Sequence, residues 1–338
     1  MHYNKYVHIA FKGYCFRTMR SNLDRKTKMR IWLLLPLLFV ASCSLFAQED
    51  SIRVRRGIPY SQALFPGKDK MQKLCFDFYE PAQSSDTLRP LVITAFGGGF
   101  VLGTRDYADM VEWCERFVKA GYAAASIDYR LMPSRKFSSK ELVRTGYMAA
   151  QDVSAAVRFF KAHGEEYGID TGRIFLLGQS AGAVAVLHAV FMDEDERPAD
   201  TYEEPALPPL HSLGTDEAKN EHFSVAGVVA LWGCIFDPEM LDPDETTPIC
   251  LIHGGKDIIL PSDSGYAFSI PGLPYAYGSE VMAEQLKKNG TNPYEFHFLE
   301  GESHAFYFKY LCLFQIDDLK FDRCFEMART FMQRHGGK

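Results

Sequence analysis

A serine set between two glycines, Gly178-Gln179-Ser180-Ala181-Gly182, constrains the fold of this chain more than any other stretch. It follows the apolar run 173–177, which is typical of a buried strand, and it opens the helical pattern 181–192. A sharp strand-to-helix turn strains the serine backbone, and glycines on either side let the two arms approach closely. The pattern therefore predicts a nucleophilic Ser180 on a strand–turn–helix unit, and its alternative is an ordinary glycine–serine turn.

A glycine-rich loop lies upstream. The apolar run 90–95 predicts a strand, and it leads directly into Phe96-Gly97-Gly98-Gly99-Phe100. Free backbone N–H groups in such a loop can stabilise the oxyanion of a tetrahedral intermediate, together with the N–H that follows the nucleophile. We therefore expect the N–H groups of Gly98, Gly99 and Ala181 to form an oxyanion hole. A flexible glycine turn is the alternative.

A candidate acid and a candidate base follow the serine in the order Asp257, His304. Asp257 comes shortly after the predicted strand 247–252, and His304 comes shortly after the alternating run 294–299. The order serine, aspartate, histidine is that of α/β-hydrolases and differs from the order in the chymotrypsin and subtilisin plans. Ser180, Asp257 and His304 are therefore the predicted catalytic residues.

Other residues compete for the roles of base and acid. His297 lies within a predicted strand and His253 lies at the end of one, so both are weaker candidates than His304. Asp263 is the rival acid, but Asp257 better fits the glycine–lysine–aspartate turn. We therefore keep Asp257 as the predicted acid.

These motifs make the chain resemble α/β-hydrolases of the carboxylesterase and lipase group, near the hormone-sensitive-lipase-like and type-B carboxylesterases. The stretch Ile127-Asp128-Tyr129-Arg130-Leu131-Met132-Pro133 is similar to the D-Y-R-L-A-P stretch of that group. Asp152 and Arg158 lie in a long helical segment before the serine strand, as they do in those esterases. The resemblance covers the chain from about Leu74 onwards. Phe96 is a departure, because the group usually has histidine there.

The resemblance implies a serine carboxylic-ester hydrolase that works through an acyl-enzyme. Its substrates would be small esters, and acylated carbohydrate, either acetylated or feruloylated, fits that activity. A serine peptidase of the same fold is one alternative, and a catalytically idle binding protein of that fold is another. The complete serine–aspartate–histidine set argues against the idle protein.

Strand and helix patterns alternate along the chain, which predicts an α/β fold with a mostly parallel central sheet and right-handed crossovers. The predicted strands lie at 74–79, 90–95, 122–128, 173–177, 225–231, 247–252 and 294–299, and the predicted helices lie at 107–120, 141–163 and 181–192.

Composition fits one large domain. A chain of 338 residues with 47% hydrophobic residues can bury a single large core, so we interpret residues 48–338 as one domain. The net charge of −6 comes without a basic stripe, which argues against nucleic acid as a partner. No C-x-x-C motif or histidine cluster is present, so we expect neither a metal nor a cofactor.

Two insertions break the strand–helix rhythm. The first, near 193–222, is acidic and rich in proline, which favours a surface loop. The second, near 262–277, carries aromatic residues that could line an acyl or aryl pocket, or could only pack the loop onto the domain. These residues are Tyr266, Phe268, Tyr275 and Tyr277.

The N-terminal segment has the pattern of an export signal. Met29-Arg30 precedes the apolar run 31–40, and small residues follow it. The run is short for a membrane span, although an N-terminal membrane anchor is the alternative. We interpret residues 1–28 as an upstream extension and residues 29–47 as the signal segment.

The end of this signal has two interpretations. Val40-Ala41-Ser42-Cys43 resembles a bacterial lipobox, which would place a lipid anchor on Cys43, and plain cleavage after Ala47 competes with it. We expect an exported protein in either case: periplasmic, held on a membrane as a lipoprotein, or secreted. Cys312 and Cys324 could pair in such a compartment. Cysteines within predicted strands and helices are expected to fill the core.

Overall fold

The alternation of strands and helices is present in the computed structural model, which describes residues 51–64, 70–83, 87–132, 137–309 and 315–336. From Ile52 onwards the chain forms one compact unit. The predicted export signal, the lipobox at Cys43 and the cysteine Cys312 lie outside the described residues.

The central sheet contains eight strands among the described residues. They are β1 (Ile52–Leu64), β2 (Met71–Pro81), β3 (Arg89–Ala95), β4 (Ala123–Ile127), β5 (Ile169–Gln179), β6 (Gly227–Leu231), β8 (Ile249–Gly254) and β11 (Tyr294–Leu299).

The order of the strands across the sheet is β1-β2-β4-β3-β5-β6-β8-β11. Antiparallel pairing is confined to β1 with β2 and β2 with β4, and all other neighbours in this sheet pair in parallel. The inner strands β3, β4, β6 and β8 are almost wholly buried, as expected for parallel strands covered on both faces.

Helices flank this sheet. They are α1 (Ala108–Lys119), α2 (Ser139–Ala162), α3 (Ala181–Phe191), α4 (Ser279–Asn289) and α5 (Asp318–His335). α1 packs against α5, where the rings of Trp113 and Phe321 lie 4.7 Å apart, and α2 packs against α3. Among the helices that the structure describes, none is both long enough and apolar enough to cross a membrane.

The insertion near 262–277 contains regular secondary structure. It forms β9 (Ser264–Tyr266) and β10 (Tyr275–Gly278), which join β7 (Cys234–Ile235) in a small antiparallel sheet of order β7-β10-β9. A short 3₁₀ turn, Ala267–Ser269, lies between β9 and β10. This small sheet leads directly into α4.

The insertion near 193–222 contains two 3₁₀ turns and is fastened to α2 along its length. Gln151 Nε2 donates a hydrogen bond of 2.6 Å to the carbonyl oxygen of Pro208, and Ser154 Oγ lies 2.8 Å from His211 Nδ1. Arg144 donates to the carbonyl oxygens of Asp200, Glu203 and Pro205. The segment is therefore a surface loop whose inner side is hydrogen-bonded to α2.

The structure adds elements that the sequence patterns left unassigned: β1, the small sheet, α4 and α5. Cys114, Cys234 and Cys250 are buried, as expected for core cysteines, and Cys75 is half-buried. Cys324, for which a disulfide was considered, is buried as well. Cys324 makes no disulfide with any other described cysteine, and its proposed partner lies outside the described residues.

Candidate active site

The predicted catalytic residues and the glycine loop follow the carboxyl ends of parallel strands. The glycine loop follows β3, Ser180 follows β5, Asp257 follows β8 and His304 follows β11. Because the carboxyl ends of parallel strands meet at one edge of a sheet, the fold gathers these residues from distant parts of the chain.

The turn at Ser180 has the strained backbone that its sequence predicts. Ser180 has φ 53° and ψ −120°, a region that residues with a side chain rarely adopt. A Cβ on Gly182 would lie 2.2 Å from the carbonyl oxygen of Ala95, and a Cβ on Gly178 would lie 2.3 Å from that of Gly182. The flanking glycines are therefore required by close approach of the backbone. A side chain at Gly182 would push α3 away from β3, and one at Gly178 would push α3 away from β5.

Ser180, His304 and Asp257 form a continuous chain of hydrogen bonds. Ser180 Oγ lies 2.9 Å from His304 Nε2, and His304 Nδ1 lies 2.6 Å from Asp257 Oδ2. The Asp257 side chain is fully buried, and the His304 side chain is only slightly exposed. A serine placed in this way can lose its proton to the imidazole, while the carboxylate fixes the tautomer of the ring and stabilises its charged form.

The Asp257 carboxylate is held on both oxygens. Its Oδ1 accepts hydrogen bonds from the backbone N–H groups of Ile259 (2.8 Å) and Leu260 (2.9 Å), so that Oδ2 points at His304. Burial by itself would raise the pKa of Asp257, but hydrogen bonds from His253 and His304 outweigh it and hold this pKa well below the ordinary carboxyl value. Asp257 is therefore an ionised group.

An aromatic wall that the sequence analysis did not identify lies beside the base. The buried ring of Trp232, the residue directly after β6, lies 6.2 Å from the His304 ring and 5.0 Å from the rings of Phe306 and Tyr307. Trp232 and Ala305 both have positive φ, 40° and 52°. Two unusual backbone conformations therefore accompany the placement of His304.

The glycine loop passes directly beside the nucleophile. The Cβ position of Gly97 lies 3.2 Å from Ser180 Cβ, and Gly99, Ser180 and Ala181 line the same cavity. Gly98 has φ 134°, and a Cβ there would lie only 1.9 Å from the carbonyl oxygen of Leu102, so this position requires glycine. The loop is thus placed where its N–H groups can face charge that develops next to Ser180.

Phe96 anchors this loop by stacking. Its ring lies 4.2 Å from the ring of Tyr129 at an interplanar angle of 20°, and the Tyr129 hydroxyl donates a 2.7 Å hydrogen bond to the Phe96 carbonyl oxygen. The next residue, Arg130, forms a fully buried ion pair with Asp152 of α2. Tyr129, and behind it the Arg130–Asp152 pair, therefore support the glycine loop, and a histidine at position 96 is not needed to hold it.

A small apolar cavity of about 30 Å³ opens next to Ser180. The 3₁₀ turn of the second insertion forms one side of it, and a Cβ on Gly99 would lie 3.2 Å from Phe268 Cζ. Phe268 itself has φ 60°, and its N–H donates to the carbonyl oxygen of Ile259 at 2.6 Å. The residues that line the cavity are Gly99, Phe100, Leu142, Ser180, Ala181, Val184, Cys234, Phe236, Ile259, Leu260, Ala267, Phe268 and Pro274.

None of the alternative candidates for the base or the acid takes the place of His304 or Asp257. His297 Nε2 lies 3.4 Å from Glu295 Oε2 on the same strand. Asp263 is exposed, and it is Asp257 that contacts His304. His253 is not placed as a base, because its Nε2 faces the Leu260 carbonyl oxygen at 2.9 Å, but it also supports Asp257. That supporting role was missed in the sequence, where His253 was considered only as a base.

Within the part of the chain that the structure describes, no group of three or more histidine, cysteine, aspartate or glutamate residues is placed to hold a metal ion.

Comparison with protein families identifies the BD-FAE family, whose model matches residues 76–245, half of the chain. Esterase LipI of Mycobacterium tuberculosis is 34% identical over 31% of this chain and 30% of that protein. Arylacetamide deacetylase of Bos taurus is 28% identical over 47% of this chain and 40% of that protein. The chain thus spans less than half of the length of these curated relatives.

Solved structures with the same fold include esterase 2 of Thermogutta terrifontis. Its propionate-bound form has a TM-score of 0.55, with 21% identity over 82% of this chain and 95% of that chain. Its form phosphorylated by paraoxon has a TM-score of 0.54 at the same identity and coverage. At this identity the likeness establishes the fold, which is that of α/β-hydrolases.

Proposed function

Because the chain belongs to the BD-FAE family of carboxylesterase-like α/β-hydrolases, we propose that it is a serine carboxylesterase that hydrolyses small esters through an acyl-enzyme. The observation that carries this proposal is the chain of hydrogen bonds from Ser180 through His304 to Asp257, set beside a glycine loop. LipI, an esterase, and arylacetamide deacetylase support an activity on acyl groups.

The reaction begins at Ser180. Its Oγ bonds to the ester carbonyl carbon while His304 Nε2 takes the hydroxyl proton, and the oxyanion accepts hydrogen bonds from the N–H groups of Gly98, Gly99 and Ala181. The bond to the alcohol oxygen then breaks, and His304 gives its proton to the leaving alcohol. Water attacks the acyl-enzyme with the same base, which releases the acid and returns the proton to Ser180.

The cavity beside Ser180 favours a short acyl group. Its volume of about 30 Å³ leaves room only for a small group, which favours acetyl over longer acyl chains. Apolar side chains dominate its lining, which suits an acyl methyl group better than a polar one. The propionate bound to the T. terrifontis esterase supports a short acid as the product.

We propose acylated carbohydrate as the source of this acyl group. Tyr266 and Tyr275 are exposed, their rings lie 5.3 Å apart, and each is adjacent in the chain to a residue that lines the cavity. A sugar ring presents C–H groups on its faces and hydroxyls at its edge, so it can stack on exposed tyrosines while its acyl group enters the cavity. Tyr275→Ala should therefore raise KM for an acetylated oligosaccharide and leave KM for p-nitrophenyl acetate unchanged.

The test of the proposed reaction is Ser180→Ala assayed on p-nitrophenyl esters beside aminoacyl amides. We expect ester turnover in the wild type and a loss of about a million-fold in the variant, with an unchanged circular dichroism spectrum. A fluorophosphonate probe should label the wild type only. Amide cleavage without ester cleavage would assign a peptidase, and the absence of both turnover and labelling would assign an idle binding protein.

A further inference from the structure

Three buried polar side chains join the segments that carry Ser180 and His304. Gln179 is the residue before the nucleophile, and Tyr307 lies in the turn that follows His304. Both contact Asp109, which lies in the first turn of α1. The exposed fractions of Asp109, Gln179 and Tyr307 are 1%, 4% and 0%, so the cluster is closed to solvent.

The contacts form a triangle. Gln179 Nε2 lies 2.5 Å from Asp109 Oδ2, the Tyr307 hydroxyl lies 3.1 Å from the same oxygen, and Tyr307 also contacts Gln179 Oε1. Trp113 Nε1 of α1 donates a further hydrogen bond of 3.3 Å to the Tyr307 hydroxyl. Each side of the triangle therefore needs one proton.

The residues other than Asp109 supply two of these three protons. The Tyr307 hydroxyl has one hydrogen, and the Gln179 amide directs one N–H into the triangle. Reversing the Gln179 amide does not change the count, because its oxygen would then face Asp109 and its nitrogen would face Tyr307. An ionised Asp109 therefore leaves two acceptors facing each other in either orientation. A protonated Asp109, whose hydroxyl both donates and accepts, satisfies all three sides.

The surroundings of Asp109 agree with this count. No lysine, arginine or histidine among the described residues forms an ion pair with Asp109, in contrast to Asp152 with its partner Arg130. Burial is the largest influence on Asp109 and raises its pKa, although hydrogen bonds from Gln179, Tyr307 and the first turn of α1 act in the opposite direction.

We propose that Asp109 is a neutral carboxylic acid that positions Ser180 and His304 relative to each other by tying Gln179 and Tyr307 to α1. The proposal rests on the proposed function, because its consequence is catalytic. The Oγ of Ser180 and the imidazole of His304 come from separate loops, each with a residue at positive φ. A displacement of about 1 Å between such groups can lower a rate about a hundredfold.

The experiment uses the full-length protein with Asp109→Asn, Asp109→Leu and Tyr307→Phe. Asp109→Asn keeps a neutral, hydrogen-bonding group of the same shape, so kcat should fall by about tenfold or less. Asp109→Leu removes both hydrogen bonds that tie Gln179 and Tyr307 to α1, so kcat should fall by about a hundredfold or more with KM nearly unchanged. Tyr307→Phe should lie between the two.

Cys114→Ala is the matched control. Cys114 is buried on the same helix and contacts Thr94, but it does not reach either catalytic loop. This variant should lower the melting temperature and leave kcat unchanged. If Asp109→Leu loses stability to a similar extent and keeps wild-type kcat, Asp109 is a packing residue and the positioning role is refuted.

Infrared spectroscopy tests the protonation state of Asp109 directly. The infrared spectrum of the wild type near neutral pH should contain a C=O stretch of a protonated carboxyl group that is absent from Asp109→Asn and retained in Cys114→Ala. No difference between the wild type and Asp109→Asn would mean that Asp109 is ionised. Because this measurement needs no substrate, it separates failure of the neutral-acid inference from failure of the proposed esterase.

Discussion

His253 Nε2 lies 3.3 Å from Asp257 Oδ2, the same carboxylate oxygen that faces His304 Nδ1. The Leu260 carbonyl oxygen, also near His253 Nε2, can only accept, so this nitrogen carries a proton that Asp257 shares. On its other side, His253 Nδ1 lies 2.8 Å from Ser279 Oγ at the start of α4. The acid of the proposed triad is therefore anchored to a helix through a second, buried histidine.

This anchoring supports the prediction that Asp257 is the acid. Asp257→Asn should lower kcat by about four orders of magnitude, because an amide N–H facing His304 stabilises the wrong tautomer. The exposed neighbour Asp263 offers a matched control, and Asp263→Asn should retain wild-type kcat. Steady-state kinetics and thermal melts of both variants provide the comparison. The opposite pattern would mean that Asp263 is the acid and that the observed contact with His304 is not functional.

The backbone of the glycine loop should affect kcat, because its N–H groups are the proposed oxyanion donors. Gly99→Val should lower kcat by at least about a hundredfold with a smaller change in KM, because one lost oxyanion donor costs about 3 kcal/mol in the transition state. Gly98→Val should be at least as damaging, since its Cβ would collide with the carbonyl oxygen of Leu102.

Phe96→His is the contrasting variant in this loop. The ring at position 96 packs on Tyr129 without contributing an oxyanion donor, so the histidine should cost stability rather than activity. Kinetics on one p-nitrophenyl ester and thermal melts test all three loop variants. Wild-type kcat in both glycine variants would show that the oxyanion is held elsewhere.

The sequence predicts the parts of this molecule that depend on local pattern. The strand–turn–helix unit at Ser180 and the glycine loop could be identified because close approach and positive φ demand glycine, and their neighbouring strands could be identified from continuous apolar runs. Chain order then placed Asp257 and His304, although their catalytic roles remain predictions. β1 was missed because this edge strand is half-exposed and carries arginines at positions 53, 55 and 56, which hide its alternation.

The features that the sequence analysis did not identify differ in whether they have a local signal. The apolar positions of α5, such as Phe321, Phe325 and Ala328, do follow helical spacing, so that helix was identifiable in principle. Asp109, by contrast, is one acidic residue in an amphipathic helix, and only the fold brings it to Gln179 and Tyr307. The positive φ of Phe268 could not have been anticipated either, because phenylalanine has no preference for that region.

Phe268 should set the length of acyl group that the site accepts. Its ring closes the cavity against Gly99, so Phe268→Ala should open space for longer chains. Each methylene group accommodated in an apolar pocket is worth about 1–3 kcal/mol in discrimination. The ratio of kcat/KM for p-nitrophenyl butyrate to that for the acetate should therefore rise by about tenfold or more.

Tyr266→Ala is the control for acyl length. Tyr266 belongs to the same insertion but is exposed and does not line the cavity, so its removal should leave the acyl profile unchanged. A Phe268→Ala profile that matches the wild type would place the acyl group somewhere other than this cavity.

Acid sensitivity should arise in part from His188, which lies on α3 but takes no part in the proposed chemistry. It is 1% exposed, its ring packs 4.8 Å from Phe236, and its Nε2 has no hydrogen-bond partner among the described residues. Burial lowers the pKa of His188 from 6.5 to about 4, because the charged form is poorly solvated there.

The sign of the effect follows from proton binding. Between about pH 6.5 and pH 4 the unfolded chain binds a proton at His188 that the folded protein does not, so stability falls as the pH falls through this window. At about pH 5 the loss from this one group should be about 2 kcal/mol relative to about pH 8. His188→Leu should remove that part of the pH dependence, while its Nδ1 partner, the Val184 carbonyl oxygen, remains within the helix.

Urea unfolding of the wild type and His188→Leu at these two pH values measures the difference directly. The exposed His222 provides the control, because His222→Leu should leave the pH dependence as it is in the wild type. Stabilisation by His188→Leu should be larger at the acidic pH, since the variant has no imidazole to protonate on unfolding. Equal effects of His188→Leu at both pH values would mean that His188 is protonated to the same extent in the folded and unfolded states, and the acid sensitivity would then have another source.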